Sequence, residues 1–145
     1  MKHVHELIGI AVLATNGLVA VWGVSAWMRG SPSTIFWYLL RVAQLSVVIA
    51  VVDGLIVSAT GGKPPDGLHY VYGIAPLVVS LVTEAMRAGV ASSEMAGVED
   101  PDSLTRREQV RIARNVVVRE MGIMTVGTIL IFTLAIRAAQ SGGLF

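Results

Sequence analysis

Apolar residues in this chain fall into four long runs separated by short polar breaks. The first extends from about Leu7 to Met28 and ends at Arg29-Gly-Ser-Pro-Ser-Thr34; the second, from about Ile35 to Thr60, stops at Gly61-Gly-Lys-Pro-Pro65. The third follows Asp66, whose side chain suits a helix N-cap, and reaches about Ala91. The fourth covers about 120–139 and leads into a Ser-Gly-Gly tail. Roughly 20 apolar residues in helix cross a bilayer. Backbone groups in lipid must be satisfied within their own segment, so each run predicts a helix rather than a strand. The pattern predicts an all-α integral membrane protein: one domain over residues 1–145, with spans at about 7–28, 35–60, 67–91 and 120–139 forming a four-helix up-down bundle.

The stretch between the third and fourth runs has a different pattern. Glu94 to Asp102 is polar, with a turn expected near Asp100-Pro101. Thr105-Arg-Arg-Glu108 has the form of a capping box ahead of Val110, Ile112 and Val116–Val118. Residues of about 92–119 therefore predict a helical cytoplasmic hairpin, with a basic helix that lies against the headgroups and leads directly into span four. Within the spans, Pro76 should kink the third helix and Asn16 reads as an interhelical hydrogen-bond donor. Phe36-Trp37-Tyr38 reads as an interfacial aromatic belt.

Composition supports the membrane assignment. Of the 145 residues, 54% are hydrophobic and only 14% charged, against roughly 25% charged in a soluble domain; a core of this size cannot hide so much apolar surface. The net charge of +1 implies no nucleic-acid partner. The absence of cysteine excludes disulfides, thiolate metal sites and iron–sulfur clusters. A cleaved signal peptide is not expected, because MKHVHE is weakly basic and the run after it is too long for such a leader. Arg29, Arg87, Arg106, Arg107, Arg111, Arg114 and Arg119 fall on one side of an up-down bundle, and Lys2, Lys63 and Arg137 on the other. This asymmetry puts the long loop inside the cell and both termini outside, in the plasma membrane of a prokaryote.

One short repeat carries candidate chemistry. His5-Glu-Leu-Ile-Gly9-Ile-Ala-Val-Leu13 and His69-Tyr-Val-Tyr-Gly73-Ile-Ala-Pro-Leu77 match at five of nine positions. Spans one and three begin on the same side, so His5 and His69 lie at similar depth, each with a glycine on the same face one turn deeper. Imidazole above a side-chain-free patch leaves space for a flat macrocycle, and bundles commonly build cofactor sites from facing helices. The pair therefore predicts heme b held by His5 and His69 as iron ligands, against Gly9 and Gly73. Lys2, Lys63 and Arg137 would neutralise the propionates, and Tyr70 and Tyr72 would add hydroxyl donors. His3 is a substitute ligand for His5. A simpler zinc or copper site would combine two histidines with Asp66 or Glu6.

Ionisable groups within spans are costly and are functional candidates by default. Arg41 and Glu84 lie toward the inner side, where pairing them, with Gln44 one turn away, would hold two helices together. Asp53, in the outer half of span two, has no basic residue nearby in its own span. It would orient His5 or His69 by accepting a ring N–H, or carry a proton or cation.

The first function these residues predict is a small b-type cytochrome, or a heme-bearing subunit of a respiratory complex, passing single electrons near the outer face. Its general arrangement is similar to that of bis-histidine four-helix membrane cytochromes. Two other classes fit: a non-catalytic accessory or assembly subunit, and a small proton- or ion-linked transporter using Asp53, Arg41 and Glu84. Expected partners are the lipid bilayer and other membrane subunits or further copies of the chain. No hydrolase motif is present, so no catalytic site of its own is expected.

Overall fold

The computed structural model describes residues 2–64, 66–96, 98 and 103–142. Its helices are α1 (Lys2–Met28), α2 (Thr34–Ala59), α3 (Leu68–Ala88), α4 (Val90–Met95) and α5 (Arg106–Ser141), and no strand occurs among the described residues. Four helical stretches are long and apolar enough to cross a membrane: α1, α2, α3 continued by α4, and α5.

The breaks follow local chemistry. After α1, Gly30 takes a left-handed φ of 57°, and the Ser31 N–H returns to Ala26 O at 3.0 Å. The Ser33 hydroxyl accepts the Phe36 N–H (3.3 Å) and so caps α2; it also accepts the Trp22 indole N–H (3.0 Å), joining α1 to α2. Gly61, at φ 88°, ends α2. Asp66 Oδ1 accepts the His69 N–H at 3.0 Å, as expected of a cap. The expected turn at Asp100-Pro101 lies outside the described residues.

Two boundaries differ from the hydropathy reading. Helix α1 begins at Lys2 rather than Leu7, which brings His3 and His5 into the helix. Helix α3 ends at Ala88, and Gly89 separates it from α4. Pro76 is buried within α3, which continues on both sides of it. Helix α5 is unbroken over 36 residues, about 54 Å of helix against a hydrocarbon core of about 30 Å. Its basic N-terminal part runs directly into the apolar part, as the residue pattern predicts. The Thr105–Glu108 capping box starts it. Hydrogen bonds from the Thr105 hydroxyl, then from its backbone N–H, hold the Glu108 carboxyl below its ordinary range.

Helix α5 packs against both α1 and α3; α2 packs against α1 and only thinly against α3. One core cluster joins Val19, Ala26, Phe36, Leu40, Ala43, Met121 and Met124; a second, nearer the α2–α3 loop, joins Val12, Val47, Ile131 and Ala135. Phe36 is thus a core residue rather than part of a belt. A Cβ on Gly23 would stand 2.8 Å from its ring, so the glycine is what makes the slot. Trp37 sets its ring edge against Phe36 (5.3 Å between centroids), and only Tyr38 of the three stays exposed. Asn16 is buried and donates to Val12 O of its own helix at 2.9 Å, not across to a neighbour.

Glycines also set how closely α5 approaches its neighbours. A Cβ on Gly127 would come within 2.7 Å of the Thr83 side chain, and one on Gly122 within 2.8 Å of Trp27. Gly127→Val is therefore expected to cost about 1–3 kcal/mol through overpacking, read as a lower melting temperature in detergent. Gly9→Ala, whose new Cβ meets nothing within 4 Å, should leave that temperature unchanged.

Candidate functional site

The buried stripe of α1 runs through Val12, Asn16, Val19 and Ala26, and helical spacing continues it past Val12 to Gly9 and His5. On α3 the stripe through Thr83, Ser80 and Pro76 continues to Gly73 and His69. On α2, Val47 is followed by Ala50 and Gly54, and on α5, Ile131 and Ala135 are followed by Ala138 and Gly142. At the α2–α3 loop end, the facing positions are therefore two histidines among glycines and alanines. A Cβ on Gly9 or Gly73 would meet nothing within 4 Å. Both glycines are half-buried, and a side chain at either would have room.

The two imidazoles meet there, with ring centroids 6.0 Å apart and planes inclined at 58°. His5 Nδ1 lies 2.7 Å from Asp53 Oδ2. His69 Nδ1 lies 3.1 Å from Ala138 O and 3.3 Å from Ser141 Oγ. A carbonyl or an ionised carboxylate only accepts, so in both rings Nδ1–H is the donor. This assigns the lone pair of each neutral ring to Nε2, which has no hydrogen-bond partner among the described residues. The backbone of His69 is tethered by Asp66. Glycine makes room for the His69 ring from behind, since a Cβ at Gly142 would stand 3.1 Å from His69 Cε1; one at Gly54 would be in ordinary contact with His5 Cε1 at 3.7 Å.

Other candidates lie elsewhere. The His3 side chain is 97% exposed and faces Glu6 at 3.4 Å, so it does not stand in for His5. Among the described residues no group of three or more His, Asp or Glu is arranged to hold a metal ion. The zinc or copper set with Glu6 or Asp66 is not assembled, because Glu6 turns to His3 and Asp66 to a backbone N–H. Lys63 is exposed, Arg137 donates to Gln140 Oε1 (3.2 Å), and Tyr70 bonds Ser58 Oγ (3.2 Å). No hydrogen bond, ion pair or ring contact among the described residues joins these three, or Tyr72, to the histidines. The Lys2 side chain lies outside the described residues.

Of the two histidines that Asp53 was expected to orient, it meets His5. One feature escaped the sequence reading: His69 is held by the end of α5. The Ala135, Ala138, Gly142 spacing was the available signal for it, a small-residue stripe on the inward face.

At the opposite end, Arg41 Nη1 donates to Glu84 Oε1 (2.6 Å) and Gln44 Oε1 (2.5 Å), and Gln44 Nε2 donates to Glu84 Oε1 (2.8 Å). Arg87 joins through Glu84 Oε2 (2.8 Å) and Glu120 (3.5 Å), with its guanidinium 5.4 Å above the Trp37 ring. Two arginines and two glutamates thus neutralise one another across α2, α3 and α5. Glu94 of α4 pairs with Arg119 of α5. Comparison of the chain with protein-family models, curated proteins and solved structures finds no match.

Proposed function

We propose that the protein is a multi-pass membrane protein of a prokaryotic plasma membrane, its long helices an up-down bundle with both termini outward, and that it carries electrons through one heme b held between His5 and His69. The observation that carries this reading is the pair of imidazoles, 6.0 Å apart by centroid, each anchored through Nδ1. Rings at this separation would be compatible with one metal ion held by both imidazoles at metal–nitrogen distances of about 2 Å. Ligating histidines characteristically give their other ring N–H to a carboxylate or a backbone carbonyl, as both do here. Two protein nitrogens suffice for an iron already held by a porphyrin, whereas a structural zinc site takes four protein ligands.

The fit extends to the surroundings. One turn deeper than the rings, Gly9 and Gly73 have nothing within 4 Å of where a Cβ would be, and Ala50, Gly54, Ala138 and Gly142 continue the small-residue positions of the neighbouring helices. When bound, heme iron supplies a one-electron couple. The chain's part is to hold two Nε2 lone pairs in place and, through Val12, Ile131 and Ala135, to close the site from below with apolar groups. The excess of arginines at the far end supports the inside placement of the α4–α5 segment. A transporter reading has less support, since Asp53 is taken by His5 and the Arg41–Glu84 group is internally neutralised.

Oxidised and dithionite-reduced visible spectra of the detergent-purified protein, with a pyridine hemochrome assay, test the proposal. One heme per chain is expected, with a sharp Soret band that shifts on reduction and resolved alpha and beta bands. A protein that stays colourless after added hemin overturns it and favours an accessory subunit. Gly9→Leu and Gly73→Leu are expected to fold with an unchanged apo-protein melting temperature yet to lose most of their heme, because the side chains enter the open space.

A further inference from the structure

We infer that Asp53 makes the two imidazoles unequal ligands, turning His5 into the more strongly donating one and biasing the iron toward its oxidised state. This rests on the heme reading above and concerns how the site is tuned. The two Nδ1–H groups meet different acceptors. His5 donates to a carboxylate at 2.7 Å, within the range of a charge-assisted bond. His69 shares its proton between the Ala138 carbonyl at 3.1 Å and the Ser141 hydroxyl at 3.3 Å, two uncharged acceptors at longer range.

The placement of Asp53 strengthens the difference. Its side chain is 21% exposed and forms no ion pair with Lys or Arg among the described residues, so the carboxylate charge is directed at His5 and is not cancelled locally. It stands on α2 between Val52 and Gly54 in an apolar helix, where low dielectric enlarges the effect of an uncompensated charge. The His5 ring packs beside Gly54, with Cε1 3.7 Å from where a Cβ would be. A carboxylate that draws the Nδ1 proton raises electron density at Nε2 of the same ring, and a more basic ligand stabilises ferric over ferrous iron. Asp53 thus acts as a positioning residue through His5, and among the described residues no carboxylate bonds the His69 ring, Asp66 reaching only its backbone N–H.

Potentiometric titration of holoprotein carrying Asp53→Asn tests this. The amide oxygen still accepts the Nδ1–H, so a low-spin bis-histidine spectrum is expected to persist. The reduced-to-oxidised ratio at fixed poise should rise at least about tenfold, a shift of about 59 mV for a one-electron couple. Ser141→Ala, which leaves the Ala138 carbonyl in place, should shift the ratio less than twofold, and Asp53→Glu should keep it near wild type. Unchanged potential in Asp53→Asn overturns the inference while leaving the heme reading intact; absence of heme from the wild type overturns the heme reading itself. Should Asp53→Asn fail to hold heme, redox-difference infrared spectra of wild-type protein carrying ¹³C-aspartate decide the matter. An isotope-shifted carboxylate band that changes on reduction is expected, and its absence overturns the inference.

Discussion

With alanine in place of either His5 or His69, the low-spin heme spectrum that the proposed ligation predicts is expected to be lost. Each variant retains one Nε2 lone pair, so the iron is left five-coordinate and high-spin or the heme is not retained. Occupancy should fall at least about tenfold, a loss of roughly 1.4 kcal/mol or more in binding. The fold is expected to survive. His5 sits in the first turns of α1 with its side chain 35% exposed, and alanine is the best helix former. Circular dichroism of the apo-proteins should therefore match wild type. His3→Ala is the control, since that side chain is 97% exposed and touches only Glu6; it should leave the spectrum unchanged. Normal low-spin heme in both single variants would rule the ligation out.

Glu84→Leu is expected to give the largest loss of stability of any single change at the opposite end. Glu84 accepts from Arg41, Gln44 and Arg87, so its removal leaves two guanidinium groups in an apolar setting with only Glu120 to share. Removing one partner of a fully buried pair costs about 3–5 kcal/mol. The Arg41 side chain is 53% exposed, so the pair is not fully buried within the protein, which reduces the expected cost to about 2–3 kcal/mol. For a chain of this size that lowers the melting temperature by roughly 5–10 °C. Arg41→Leu combined with Glu84→Leu should recover part of the loss, because an ion pair replaced as a unit by apolar side chains is often nearly neutral. Neither variant should alter the heme spectrum, the network and the histidines being at opposite ends of the helices. A melting temperature unchanged in Glu84→Leu would show that the network contributes little to holding α2, α3 and α5 together.

Much of this arrangement was legible along the chain. The four apolar runs, the capping box at Thr105–Glu108, the cap at Asp66 and the Arg41–Glu84–Gln44 group all lie where the residue pattern put them. The repeat at His5 and His69 singled out two rings that do meet. Less legible were Phe36, whose place in the core depends on a slot made by Gly23 on another helix, and Asn16, whose amide turns back to Val12 O. The proposed propionate partners were chosen by sidedness alone, and sidedness does not say which way a long side chain turns: Arg137 bonds Gln140 and Tyr70 bonds Ser58.

Length and period of apolar residues are properties of a segment by itself, so the sequence alone determined that there are four membrane-length helices and roughly where each stops. It also determined which residues share a helical face, since that depends only on the rotation of about 100° per residue, and so placed each histidine above its glycine. The pairing of Asp53 with His5, the capture of His69 by the Ala138 carbonyl and Ser141, and the junction of Arg87 with Glu120 were decided only in the tertiary structure. Each depends on how two helices are rotated about their axes and how closely they approach. Those quantities are set where glycines such as Gly23, Gly122 and Gly127 let neighbouring side chains in, and a small residue's effect on a partner helix leaves no trace in its own segment's pattern.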